Sequence, residues 1–283
     1  MTQITVGITT YNRAIFLKAS IECFLAQTKL PDEIIVYDNC STDNTTEVVK
    51  EFQLRAPFIR YIRNAHHGER FLDSMPPIIN EAQYPYFLFA EDDDWYHPSF
   101  LERLSRALDE HPDYATAMCW FREHRIFPFT PDEPGPVYKH DYTHLSYGRV
   151  YQEIMRLHIS PIFLNGLYRT KMLQKFVQRG FPNVLDDTNI WLTEIALSTR
   201  FYSLPEVLLS KYRQPAPVRQ RHSYMQRYME HKPYTSNAWW ALWWSFTSPN
   251  LSWHQKIRAL PGWGKFVWRF KRKIIAELPC ITK

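Results

Sequence analysis

"YFLFAEDDDWYHPSFLERL", residues 86–104, decides the fold. It begins as an unbroken apolar run, Phe87 to Ala90, with none of the alternation that marks a half-solvated strand. Such a run reads as a strand buried on both faces, the kind found inside parallel sheets. Pro98 then stands near the start of "PSFLERLSRALDEH", whose apolar residues recur at helical spacing. Between strand and helix lie four consecutive acids, Glu91, Asp92, Asp93 and Asp94. Such a run is either a solvated loop with a helix-capping residue or, at the end of so apolar a strand, a set of carboxylates that repel unless something cationic sits among them. For a set of oxygen ligands the natural neutraliser is a hard divalent ion, Mg2+ or Mn2+, which keeps some coordination free for phosphate oxygens.

The same alternation extends back to the N-terminus. "ITVGITTYN" is β-branched and ends in polar residues, so it reads as a strand over 4–9. "RAIFLKASIECFLAQ" has helical spacing in Ile15, Leu17, Ile21, Phe24 and Leu25. "PDEIIVYDN" is a second strand, "STDNTTEVVKEFQ" a capped helix and "FIRYIRN" a third strand. "RFLDSMPPIINEA" is helical, with Pro76-Pro77 kinking it or starting it afresh. Strand and helix in turn over the first 110 residues predict a mainly parallel sheet with helices on both faces. Ligands of such sheets bind beyond the carboxyl ends of the strands. Three polar clusters fall at those ends: Thr9–Arg13, Asp38–Asp43 and Glu91–Asp94. Farther on, "PIFLNGLYRTKML" reads as a strand and "TNIWLTEIALST" as a helix, while residues 120–160 are Pro- and aromatic-rich and carry no clear period.

Composition removes several alternatives. Only eight glycines occur among 283 residues, and neither a P-loop nor G-x-G-x-x-G is present. Cys23, Cys40, Cys119 and Cys280 are far apart, which argues against a zinc site or a disulfide framework and for a reducing cytosol. "MTQITVGITTYNR" lacks the basic and apolar regions of a signal peptide, and no apolar run reaches the length of a membrane span. The net charge of +5 is unevenly spread: residues 211–283 hold 14 Lys/Arg against two acids, and seven of the ten tryptophans. This shift predicts a functional boundary between a first part, 1–215, and a basic aromatic helical tail, 216–283.

"VGITTYNR", "IIVYDNCSTDNT" and "YFLFAEDDDWYHPSFLERL" together resemble the family 2 glycosyltransferases of GT-A fold. That family has a first strand ending in T-Y-N or P-x-Y-N, then V-D-(N/D)-x-S-x-D, then an aspartate-rich D-x-D or D-D-D followed by a proline. The resemblance is strong over about residues 3–110 and weaker over 160–215. It implies a nucleotide-binding half, 1–115, and an acceptor half, 116–215. Thr9, Tyr11 and Arg13 would line the nucleotide pocket. Asp38 would accept a hydrogen bond from the base, and Asp92 would hold the ribose. Asp93 would be the main metal ligand, with Asp94 or Glu91 beside it. Arg70 would reach phosphate or base, although "HHGERF" replaces the family's Asn- and Gly-rich stretch and the first acid is Glu rather than Asp.

The family's catalytic base lies in an acidic pair before a W-L-containing helix. "VLDDTNIWLTEIA" matches, which implies Asp187 as the base and Asp186 as its support or an acceptor contact; a helix cap by one of the pair is the other reading, and the two are compatible. Asn165-Gly166 lies where the family sets a segment against the donor sugar, or is a plain turn. "LLSKYRQPAPVRQRHS" resembles the family's Y-R-x-H-x-x-S stretch, where His222, or Arg213, Arg219 and Arg221, would touch metal or diphosphate. The implied activity is metal-dependent, inverting transfer of a sugar from a UDP- or dTDP-sugar to a glycan or lipid-linked acceptor, in synthesis of surface polysaccharide. A nucleotidyltransferase would carry a glycine-rich phosphate loop after its first strand, and "TTYNRAIFL" has none. A non-catalytic scaffold of the same fold stays open; nucleic acid is disfavoured because the basic tail holds no known binding module. Trp263, Phe266, Val267, Phe270 and Ile274 form a stripe in that tail, with Lys265, Arg269, Arg272 and Lys273 mostly off it. Such a helix either lies in an anionic membrane surface, making the protein peripheral on the inner face of the cell membrane, or packs on the catalytic domain.

Overall fold

The computed structural model describes residues 2–68, 74–124, 135–157, 165–180, 187–212 and 233–277. Two compact units emerge: Met1–Thr143 with Phe163–Gln178 and Phe201–Gln214, and His144–Ile162 with Arg179–Arg200 and Pro215–Lys283.

In the first unit, β1 (Ile4–Thr10), α1 (Ala14–Leu25), β2 (Glu33–Asp38), α2 (Thr45–Arg55), β3 (Ile59–Arg63), α3 (Met75–Glu81) and β4 (Tyr86–Glu91) follow in turn. The strand–helix alternation read from the sequence is therefore observed. β5 (Trp95–Tyr96), α4 (Phe100–Glu110), β6 (Thr116–His124) and β7 (Val137–Tyr138) continue the chain, and β8 (Leu167–Arg169), α6 (Thr170–Val177) and β9 (Phe201–Tyr212) complete the unit. The sheet order is β3-β2-β1-β4-β8-β6-β9-β5, with β7 against β6. β1 runs parallel to β2 and β4, β2 to β3 and β6 to β9, whereas β8 is antiparallel to β4 and β6.

The apolar runs explain the layering. Every residue of β2 is buried, and Tyr86 to Ala90 of β4 are buried too, because helices cover both faces. Gly7 leaves no room for a side chain on β1: a Cβ there would lie 2.7 Å from Phe87 Cζ and 2.8 Å from Ile78 Cδ1. α4 turns Phe100, Leu101, Leu104 and Leu108 inward and leaves Arg106 on the outer side. Of "PIFLNGLYRTKML", residues 161–164 lie outside the described residues; Leu167–Arg169 join the sheet as a strand, and from Thr170 the chain is helical, with Leu173, Phe176 and Val177, at i, i+3 and i+4, buried on one face.

The second unit contains α5 (Tyr147–Leu157), α7 (Asp187–Ser198), α8 (Pro233–Thr247), α9 (Trp253–Ile257) and α10 (Ala259–Glu277). Phe266 of α10 is 2% exposed, and a Cβ on Gly262 would fall 2.5 Å from Tyr151 Cε1 of α5, so this face of α10 packs closely on α5. Buried Glu194 of α7 accepts from Arg179 at 3.2 Å, from Asn250 Nδ2 at 3.1 Å and from the Ser248 hydroxyl. Arg179 also stacks 3.9 Å from the Trp244 ring centre of α8. Among the described residues no helix is long and apolar enough to cross a membrane.

Candidate active site

The register of the sheet brings the three polar clusters level. Thr10 pairs with Asp38 across β1 and β2, and Thr9 with Glu91 across β1 and β4. All three strands therefore end at one edge.

The loop after β1 is built around Asn12, which takes a positive φ of 53°. Its side-chain oxygen accepts from the Thr42 N–H at 2.7 Å and the Asp43 N–H at 3.3 Å, and its own N–H donates to Ser41 Oγ at 2.9 Å. Asp43 receives the Ala14 N–H at 3.1 Å and the Thr45 N–H at 3.1 Å, so one carboxylate serves the first turns of both α1 and α2. Asp38 is fully buried: Oδ1 accepts from the Ser41 N–H at 2.8 Å, and Oδ2 accepts from the Tyr61 hydroxyl at 2.6 Å. Its carboxylate is thus engaged in shaping the loop. Asn39 grips Gly68 through both backbone groups, at 2.8 and 3.0 Å. Tyr11, 39% exposed, lies against the His67 ring at 4.1 Å.

Among the described residues, two cations grip the four acids. Arg13 binds Asp92 at 3.0 Å and Asp93 at 2.5 Å. Lys211, near the end of β9, binds Asp94 at 2.7 Å and Glu91 at 3.3 Å, and donates to Asn165 Oδ1 at 2.8 Å. The pairing of Trp95 with Ser210 brings this lysine alongside Asp94. Asp94 also accepts from Asn165 Nδ2 at 3.3 Å and the Tyr212 N–H at 3.3 Å. Burial pushes the Asp92 carboxyl up to about 7, against the pull of Arg13 and the Thr10 hydroxyl bond at 2.8 Å. Burial disfavours the Lys211 ammonium, but Asp94 and Glu91 outweigh it and raise its pKa above the ordinary lysine value.

Glu91, Asp93 and Asp94 each offer a carboxylate oxygen, and these oxygens lie within 4.8 Å of one another. An all-oxygen, all-anionic set of this kind fits a hard divalent cation. Glu91 is the most open of the three, and Asp94 is closed in by Lys211, Asn165 and Tyr212. Asp187 is the first residue of α7. Asp186, Arg70, His222 and arginines 213, 219 and 221 lie outside the described residues. Sequence reasoning did not single out Lys211; its signal was a lysine two residues after the apolar run Val207-Leu208-Leu209.

Comparison with known proteins extends this geometry. Residues 5–175 match the model described as "Glycosyl transferase family 2". The "Putative glycosyltransferase EpsE" of Bacillus subtilis is 29% identical over 223 residues, 76% of this chain and 74% of that protein. An uncharacterized protein of Mycobacterium tuberculosis is 30% identical over 114 residues, 39% of this chain, and the chain covers only 32% of its length. Among solved structures, residues 1–349 of S. aureus TarS in complex with UDP share the fold with a TM-score of 0.66 at 13% identity, over 98% of this chain and 76% of that one. The mannosyltransferase PcManGT of Pyrobaculum calidifontis, in complex with GDP-Man and Mn2+, aligns with a TM-score of 0.55 at 15% identity, over 98% and 86% of the two chains.

Proposed function

Because the chain belongs to glycosyl transferase family 2 and has the GT-A fold, making it a glycosyltransferase enzyme, we propose that it moves a sugar from a UDP- or dTDP-sugar to a hydroxyl of a glycan or lipid-linked acceptor, with inversion. The observation that carries this reading is the level edge of β1, β2 and β4, where Thr9–Arg13, Asp38–Asp43 and Glu91–Asp94 come together. The UDP held by TarS and the GDP-Man and Mn2+ held by PcManGT support a nucleotide-sugar donor and a divalent ion here.

In this reading Tyr11 and the Asp38–Asp43 loop meet the nucleoside, and the buried Asp38 keeps that loop in shape. Asp92 faces the ribose from its seat on Thr10 and Arg13. Asp93 and Glu91, with Asp94 behind them, hold Mn2+ or Mg2+, which when bound supplies positive charge to the departing diphosphate. Arg13 adds a fixed cation on the same side. Asp187 accepts the proton of the acceptor hydroxyl, with Asp186 supporting it. A base opposite the leaving diphosphate makes the attack in-line and inverts the anomeric centre. Arg70 and His222 serve the diphosphate. The aromatic, basic 233–277 segment seats the enzyme on an anionic membrane surface, on the cytoplasmic side, where lipid-linked acceptors of polysaccharide synthesis are found.

The test is a donor screen with Mn2+, read both as thermal protection and as sugar release. UDP- or dTDP-sugars should raise the unfolding midpoint, and Asp93→Ala should lose both protection and transfer while keeping its circular dichroism. A folded Asp93→Ala enzyme fully active in excess EDTA would remove the metal from the scheme. Protection by GDP-sugars alone would overturn the choice of nucleotide.

A further inference from the structure

We propose that Lys211 is a built-in cation of the acidic edge: it holds Glu91 and Asp94 together before any metal arrives, and by competing for the same carboxylates it keeps divalent-ion affinity low. The proposal rests on the metal-binding reading of this edge. Two observations carry it. First, among the described residues two protein cations grip the four acids, Arg13 on Asp92 and Asp93, Lys211 on Glu91 and Asp94. Second, two of the three carboxylates close enough to share a metal, Glu91 and Asp94, are the two that Lys211 grips.

The ammonium is held in place from three sides. Asp94 lies 2.7 Å away, Glu91 3.3 Å and Asn165 Oδ1 2.8 Å, and Asn165 closes the triangle by donating to Asp94 at 3.3 Å. Asp94 is wholly enclosed and Lys211 nearly so, with side chains 0% and 13% exposed, so water screens this pair little. A divalent ion drawn to Asp93 therefore meets a partner set whose charge is already partly cancelled. An edge arranged this way stays folded when empty and releases its metal readily with the product diphosphate.

The experiment measures Mn2+ binding by the full chain directly, by electron paramagnetic resonance of the free ion, and unfolding midpoints in EDTA and in Mn2+. Lys211→Met should tighten Mn2+ binding by about tenfold or more, since one unit of nearby positive charge is removed in a weakly screened place. The same variant should melt lower in EDTA and show a wider gap between the two midpoints. Lys211→Arg, which keeps the charge, should behave as the wild type. The double variant Asp94→Asn/Lys211→Met removes the pair without leaving a lone buried charge. It should fold in EDTA and bind Mn2+ more tightly than Asp94→Asn alone, because Lys211 then no longer competes for Glu91. A folded Lys211→Met protein with unchanged or weaker Mn2+ binding overturns the proposal. If that single variant does not fold, a folded double variant that binds Mn2+ no more tightly than folded Asp94→Asn overturns it, since removing Lys211 would then release no carboxylate. Wild-type protein that binds no Mn2+ with or without UDP would instead overturn the metal reading itself, and this proposal with it.

Discussion

Asp92 is 3% exposed and sits between Thr10 and Arg13, yet burial still pushes its carboxyl up to about 7. The folded-state value lies above the ordinary 3.8, so folding favours the protonated form. Its contribution to stability is complete below the unfolded value and is lost as pH rises through about 7. In metal-free buffer the unfolding midpoint should therefore fall from about pH 5 to about pH 8 more steeply in the wild type than in Asp92→Asn. Parallel curves for the two proteins would contradict this. At the opposite end of the proposed chemistry, Asp187→Asn keeps the shape of the residue and removes its basicity. A loss of roughly 10²–10⁴ in kcat, with little change in donor binding, is expected from rapid-quench and equilibrium measurements. A dead Asp186→Asn beside a healthy Asp187→Asn would move the base by one residue. The residue types at the strand ends were legible, because a run of acids after an apolar strand is a local pattern. Their partners were not: Asp94 and Lys211 are separated by 117 positions.

At the scale of elements, the apolar runs of β1, β2 and β4 and the helical periods between them were legible, because local spacing alone sets which face is buried. The segment after residue 160 was less so. Three residues of β8 carry the antiparallel link between β4 and β6, and nothing in so short a run distinguishes it from the helix that follows. Gly166 lies just before this strand, where a Cβ would come 2.8 Å from Thr116 Cγ2 and 3.1 Å from the Ala117 carbonyl oxygen. Gly166→Ala has to push β8 from β6 or shift Thr116, at a cost of about 1–3 kcal/mol. The displacement reaches Asn165 and hence the Lys211–Asp94 pair. Urea unfolding should register the loss, and Mn2+ binding should change with it. A Gly166→Ala protein as stable as wild type would mean that the strand has room to move.

For the whole molecule, the charge and tryptophan shift after residue 210 announced a distinct segment but not where it belongs. The 233–277 helices join a unit with 144–162 and 179–200, and Phe266 of the stripe is buried. The aromatic surface that remains open is different: Trp239, Trp243, Trp253 and Trp268 are 66%, 59%, 64% and 72% exposed. Trp239, Trp243 and Phe246 share one face of α8, and the Phe246 ring meets Trp253 of α9 at 6.0 Å. Membrane attachment is therefore better tested by point changes than by truncation, which would also remove the buried Trp244 and Phe266. Wild-type protein should sediment with anionic vesicles at low salt, and replacing Trp239, Trp243 and Trp253 by serine should weaken that binding by about tenfold or more at unchanged stability. Equal sedimentation of the two proteins would assign these rings to some other role.

The sequence by itself determined the alternating strands and helices, the parallel core and the acids at its edge, since each follows from a period or a run within about twenty residues. Tertiary structure alone decided that Arg13 and Lys211 divide the four acids, that Asp38 is engaged by Ser41 and Tyr61, and which tryptophans stay exposed. Those outcomes depend on strand order and register. The sheet sets β4 beside β1 and joins β5 to β9, bringing distant side chains within hydrogen-bond reach, and no local spacing in the chain encodes that meeting.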